Sequence, residues 1–168
     1  KGGHLLMSAF FLKNQGLANL PVANVVIDAK RKKVLTSENA QTDLANVTDN
    51  ALAFDYLAKS LPFPIDSVSS EWDNKQTQAD VLKVYPFIKE FSEELLQVKG
   101  LKAGLYNLKI DGDLIGSFSA EDFNKGINLG TMGNTPQYQQ AKSIMELNNL
   151  RASLEFKLRE YYWVQYNY

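Results

Sequence analysis

The chain has 168 residues, 45% of them hydrophobic and 22% charged, with a net charge of −1. It is long enough for one domain with a real core, and its interspersed charges exclude the strongly basic surface that nucleic acid or an anionic membrane demands. It has no cysteine, which excludes disulfides, thiolate catalysis and cysteine zinc sites, and no apolar run approaches the ~20 residues of a membrane span.

The first predicted element is a helix from His4 to Gln15, with Leu5, Leu6, Ala9, Phe10 and Leu12 apolar and Gly16 as the residue that ends it. A helix this short needs a surface to pack on. Leu20 to Asp28 and Lys33 to Thr36 read as a β-hairpin, with Lys30-Arg31-Lys32-Lys33 as its solvated turn. Asn39 to Asn50 reads as polar loop with room for one short strand. Its Asn46-Val47-Thr48 triplet fits a glycosylation sequon, which matters only in a eukaryotic secretory route. Ala51 to Ala58 alternates with a period of two and is a strand, ended by Pro62 and Pro64.

Asp66 to Thr77 is polar loop. Gln78 to Val98 reads as a helix kinked or divided at Pro86, because Val81, Leu82, Tyr85, Ile88, Phe91, Leu95 and Leu96 recur at helical spacing. Gly104 to Ile110 and Asp113 to Phe118 are strands joined at Asp111-Gly112, the strongest hairpin signal in the chain. Ser119 caps a short helix that opens on Glu121 and Asp122 and closes at Gly126. Ile127 to Thr135 is a Gly- and Asn-rich loop. Thr135-Pro136 opens a long helix to about Tyr161, followed by a tail with Tyr161, Tyr162, Trp163, Tyr166 and Tyr168. The fold class expected is α+β.

His4 is the single histidine. At the first turn of a helix it reads as a structural residue and not as a triad base. The carboxylate pairs Glu93-Glu94, Glu121-Asp122 and Glu71…Asp73 read as solvated faces and helix-start charges, since sequence neighbours do not flank a bond as glycosidase carboxylates do. Asp111-Gly112-Asp113 lacks the further ligands of a calcium loop. No metal site and no cofactor is expected. The candidate binding surface is the loop from Gly126 to Pro136. There Asn128 and Asn134 offer hydrogen bonds, and Gly126, Gly130 and Gly133 allow close backbone approach.

Three segments carry a family resemblance. Gly3-His4-Leu5-Leu6-Met7-Ser8 resembles the helix that follows the catalytic Asp-x-x-His loop of SGNH (GDSL-like) esterases and lipases. Leu96-Gln97-Val98-Lys99-Gly100-Leu101-Lys102-Ala103-Gly104-Leu105-Tyr106-Asn107-Leu108-Lys109-Ile110-Asp111-Gly112 resembles a block of a bacterial subgroup of that family. So does Phe118-Ser119-Ala120-Glu121 taken with Lys125-Gly126-Ile127-Asn128-Leu129 and Asn134-Thr135-Pro136-Gln137. Together the matches span about half the chain, and no block is catalytic. The catalytic His of that pattern would precede Lys1, and the nucleophile's Gly-Asp-Ser block is absent.

The resemblance therefore implies the C-terminal part of a serine ester hydrolase, acting on an acyl or acetyl ester and not catalytic alone. It implies residues 1–16 as the last helix of the hydrolase core, 17–135 as a β-rich accessory region with the kinked helix near 78–98, and 136–168 as the long helix and aromatic tail. Its partner would be the N-terminal catalytic part of the same protein, and its place the periplasm or the cell exterior. Self-association is a further expectation, from the apolar stripe of the first helix. The rival reading is a non-catalytic binding module, with carbohydrate as one ligand that the aromatic tail could stack on.

Overall fold

The computed structural model describes residues 1–48, 51–68 and 76–167. In chain order the elements are α1 (Gly2–Asn14), β1 (Ala23–Asp28), β2 (Lys33–Glu38), β3 (Ala40–Val47), β4 (Leu52–Ala58), α2 (Gln78–Val81), α3 (Phe87–Phe91) and β5 (Glu94–Lys99). There follow β6 (Leu105–Ile110), β7 (Asp113–Ser119), α4 (Ala120–Lys125), β8 (Ile127–Asn128), a 3-10 turn at Leu129–Thr131, and α5 (Pro136–Asn167). The fold is α+β, with small sheets and a long C-terminal helix, as the sequence suggested.

The centre is a sheet in the order β2-β1-β5-β8. β1 alternates buried Ala23, Val25 and Ile27 with half-buried Asn24, Val26 and Asp28. It pairs antiparallel with β2 and parallel with β5. Two ribbons, β3–β4 and β6–β7, complete the β structure. Leu44, Leu52, Phe54 and Tyr56 of one ribbon, and Tyr106, Ile110 and Phe118 of the other, pack on the core formed by Val25, Ile27, Leu96, Val98, Phe123 and Ile127. Phe123 of α4 meets Tyr106 and Phe118 edge-on at 6.4 and 5.8 Å.

Local chemistry accounts for the hairpins and caps. Asp111 and Gly112 take φ of 52° and 93°, the pair of left-handed residues that a two-residue I′ turn needs. In the β1–β2 turn, Asp28 Oδ1 accepts from the Arg31 N–H at 2.8 Å, and Lys30 to Lys33 are exposed. Ser119 and Asp122 form a reciprocal capping box on α4. Thr135 Oγ1 accepts from the Tyr138 N–H at the start of α5.

Four expectations are corrected. The segment from Gln78 to Val98 is divided before Pro86 into two short helices, one of the two forms expected, but it is not helical to its end, which is the central strand β5, buried at Glu94, Leu96 and Val98. An interior strand with apolar residues on both faces has no clean period of two, so its leucines fall equally well on a helical repeat. Asn39 to Asn50 holds an eight-residue strand, β3, whose exposed polar residues disguise it. The loop after Gly126 contains β8, which pairs with β5 through Leu96 and Ile127. α5 runs on to Asn167, beyond Tyr161. Asp49, Asn50, Glu71, Asp73 and Tyr168, which figured in the sequence reading, lie outside the described residues.

α1 buries Leu5 and Ala9 against Val81 and Phe87. Lys13 Nζ reaches Glu90 Oε1 at 2.8 Å, and the Tyr85 hydroxyl donates to Glu90 Oε2 at 2.6 Å. The opposite face leaves Met7 and Phe11 exposed. α5 buries Ala141 near its start. From Arg151 to Asn167 every residue except Glu155 is exposed.

Candidate functional site

Asn128 and Asn134 sit where the loop crosses the sheet edge, and each amide is engaged by backbone. Asn128 Oδ1 accepts from the Glu94 N–H at 3.0 Å and from the Gly130 N–H at 3.0 Å, so it ties β8 to β5 and turns the chain into the 3-10 turn. Asn134 Nδ2 donates to the Ile115 carbonyl of β7 at 2.9 Å. Gly130 lies against the Ser92 carbonyl, where a Cβ would come within 2.3 Å. The close approach that the glycines permit is thus used by the protein's own backbone at this position.

The expectation that Glu93-Glu94 lies on a solvated face is corrected at Glu94, because the pair opens the central strand β5 and Glu94 takes its inward side. It stands on the central strand with 1% of its surface exposed. Its Oε1 accepts from the Tyr56 hydroxyl at 2.6 Å and from Gln137 Nε2 at 3.0 Å, while Oε2 is buried without a partner among the described residues. Burial pushes the Glu94 carboxyl above the ordinary glutamate range, and the hydrogen bonds from Tyr56 and Gln137 oppose this. Burial and the facing carboxylate push the Tyr56 phenol up as well. One side chain therefore joins the sheet, the β3–β4 ribbon and the first turn of α5. In sequence Glu94 only follows Ser92 and Glu93 at the start of Leu95-Leu96, which reads equally well as a helix surface charge.

Between the two ribbons lies a cleft of about 1330 Å³. Val25, Leu96 and Val98 contribute to its lining, together with Phe54, Tyr56 and Tyr106. The cleft is open to solvent, and its hydroxyls are engaged by the protein itself, that of Tyr56 with Glu94 and that of Tyr106 with the Lys102 carbonyl.

The remaining candidate groups have local roles. His4 is exposed on α1. Glu121 pairs with Lys125 at 2.6 Å, and Asp122 serves the capping box. Asp111 and Gly112 form the β6–β7 turn. Among the described residues no group of His, Asp and Glu side chains is placed to hold a metal ion.

The geometry can be set beside known proteins. A family model described as the diltiazem deacetylase C-terminal helical domain matches residues 142–168, nearly the whole of the projecting part of α5. The solved structure of a gut microbial diltiazem-metabolizing enzyme resembles the chain at 44% identity and a TM-score of 0.87, over 96% of this chain and 36% of that one. No curated protein matches. The chain is thus similar, in sequence and in fold, to about a third of a diltiazem-metabolizing enzyme, and its last helix is similar to the C-terminal domain of diltiazem deacetylases.

Proposed function

We propose that this chain is the C-terminal part of a serine ester hydrolase of the SGNH (GDSL-like) kind, one that removes an acetyl or other small acyl group and is located in the periplasm or outside the cell. The observation that carries the reading is the 44% identity maintained over 96% of the chain with part of a diltiazem-metabolizing enzyme. In such a reaction a serine oxygen bonds to the acyl carbon, a histidine takes its proton and hands it to the departing alcohol, and N–H donors hold the oxyanion. Water then releases the acid. These groups belong to an N-terminal catalytic part, the partner of this chain. Residues 1–16 dock on that part through Met7, Phe10 and Phe11, residues 17–135 form the accessory β region, and residues 136–168 form the closing helix.

The test assays the chain against p-nitrophenyl acetate and diltiazem in two forms. One is the chain alone. The other replaces the matching segment of the diltiazem-metabolizing relative with this chain. The chain alone is expected to be inert and the chimera to deacetylate both esters. Turnover by the chain alone above a His4→Ala control, or an inert chimera that is folded, overturns the proposal. The cleft between the ribbons supports a second reading, a non-catalytic binding module for a small organic or sugar ligand. Saturable binding by the chain, lost in Phe54→Ala, alongside an inert folded chimera is the result that favours it.

A further inference from the structure

The cleft between the ribbons is bordered by two strand edges. Every residue from Leu52 to Ala58 of β4 and from Leu105 to Ile110 of β6 lines it, and no residue of β7 does. β4 pairs with β3 alone, and β6 with β7 alone. Two backbone bonds fix which groups each edge presents. The Lys59 N–H donates to the Asn39 carbonyl, so the odd-numbered residues of β4 bond to β3, and Leu52, Phe54 and Tyr56 turn N–H and C=O toward the cleft. The Ala120 N–H donates to the Gly104 carbonyl, so the even-numbered residues of β6 bond to β7, and Leu105, Asn107 and Lys109 face the cleft. Among the described residues these groups have no backbone partner. Soluble proteins guard a lasting strand edge with a bulge, a proline or a lysine. Here the extra residues of the two bulges, Ala45 and Ile115, lie on the outer strands β3 and β7. Neither β4 nor β6 has a proline, and Lys109 is the one lysine of the two. The edges at the cleft are thus built like those of interior strands.

We propose that the cleft seats one extended strand from the N-terminal catalytic part of the same polypeptide, paired with β4 on one side and β6 on the other, in a single layer of β3, β4, the incoming strand, β6 and β7. A strand of six residues in such a layer takes up about 950 Å³, from spacings of ~3.3 Å along, ~4.8 Å across and ~10 Å through it. The cleft holds about 1330 Å³. Val25, Leu96 and Val98 beneath it are 1–3% exposed, so the inward side chains of the incoming strand are small. Its outward side chains lie between Leu57 and Leu105, which are exposed. Unguarded edges need lasting cover. A segment of the same polypeptide gives it at every concentration, whereas a second copy gives it only above its dissociation constant. The chain matches 36% of its solved relative, so most of that relative's length lies outside the match. The origin of the strand rests on the ester-hydrolase reading, and the open edges do not.

The experiment is hydrogen exchange of the chain alone and of the chimera that carries it in place of the relative's matching segment. In the chain alone the amides of Phe54, Tyr56, Asn107 and Lys109 are expected to have protection factors at least ~10-fold lower than those of Asp55, Leu57, Tyr106 and Leu108, which bond within the ribbons. In the chimera the two sets should be alike. Leu105→Pro deletes one N–H facing the cleft at the first residue of β6, a position that accepts proline. It should leave the unfolding midpoint of the chain in place and lower that of the chimera. Equal protection of the two sets in the chain alone, at any concentration, means cover by the chain itself or by a second copy and overturns the proposal. A folded chimera whose amides at the cleft stay as open as in the chain alone overturns it too, as does an equal effect of Leu105→Pro on both proteins. Ester hydrolysis by the same chimera judges the hydrolase reading separately. An active chimera with open edges refutes the strand and keeps that reading, and an inert folded chimera with closed edges does the reverse.

Discussion

Tyr56→Phe removes one oxygen and leaves the ring in place, so it isolates the bond to Glu94. The Tyr56 hydroxyl donates to Oε1 at 2.6 Å, and the residue it serves is 1% exposed. Without it the carboxylate retains Gln137 alone, and Oε2 already lacks a partner among the described residues. Leaving a buried charged acceptor short of a donor costs about 2 kcal/mol or more. For a chain of this length that lowers Tm by about 4–8 °C. The pH dependence has a definite sign. Burial holds the Glu94 carboxyl above its ordinary range, so the folded state binds this proton more tightly than the unfolded state. The stability contributed by the site is complete below the unfolded glutamate value and is lost as pH rises through the folded one. Tyr56 counteracts the upward shift, so its removal enlarges it. The penalty of Tyr56→Phe is therefore largest at neutral and alkaline pH and shrinks toward acid, where Glu94 carries its proton. Thermal unfolding followed by circular dichroism at several pH values measures this. Placing the substitution in a Glu94→Gln background should remove most of the pH dependence. A cost below about 0.5 kcal/mol at pH 7, or one that is the same at acid and alkaline pH, refutes the reasoning.

Two further outcomes are expected. Gly112→Ala meets open space but forces φ of 93°, whereas Gly126→Ala adds to φ of 105° a Cβ only 2.9 Å from Leu95 Cδ1. The first should cost about 1 kcal/mol and the second measurably more, read as urea midpoints of the two variants. Lys13 first, then Tyr85, hold the Glu90 carboxyl below its usual range, so its contribution is present above that range and lost as pH falls through the folded value. The protection factors of the α1 amides, taken relative to the intrinsic exchange rate at each pH, should fall on acidification, and Glu90→Gln should flatten that response.

The elements that could be read from sequence are those fixed within a few residues. Asp111-Gly112 is a turn because two adjacent residues accept positive φ, and Ser119 with Asp122, or Thr135 with Pro136, begins a helix through bonds spanning three positions. β5 could not be read in this way. Leu95, Leu96 and Val98 satisfy a helical repeat as well as a strand, and what decides the matter is β1 alongside, distant in the chain. β3 was obscured for the opposite reason, since Gln41, Asp43 and Asn46 face water. The candidate loop was located by its glycines and asparagines, but the bonds of Asn128 and Asn134 run to strands 34 and 19 positions away. Glu94 acquires its meaning from Tyr56 and Gln137, 38 and 43 positions distant, and nothing local distinguishes it from a surface glutamate.

The parallel pairing of β1 with β5 governs how the chain assembles. Ala23 lies opposite Glu94, so the innermost contact of the sheet joins residues 71 positions apart. β1–β2, β3–β4 and β6–β7 each close over a few residues and can form on the microsecond scale of isolated hairpins. The central ladder must wait for the excursion through β2, β3, β4, α2 and α3 to be gathered in, and closing so large a loop retards the rate-limiting step. During that interval Val25, Ile27, Leu96 and Val98 have no cover. A nascent chain halted before Glu94 would hold β1 paired with β2 on one edge and bare on the other, which leaves that edge open to misassociation during synthesis.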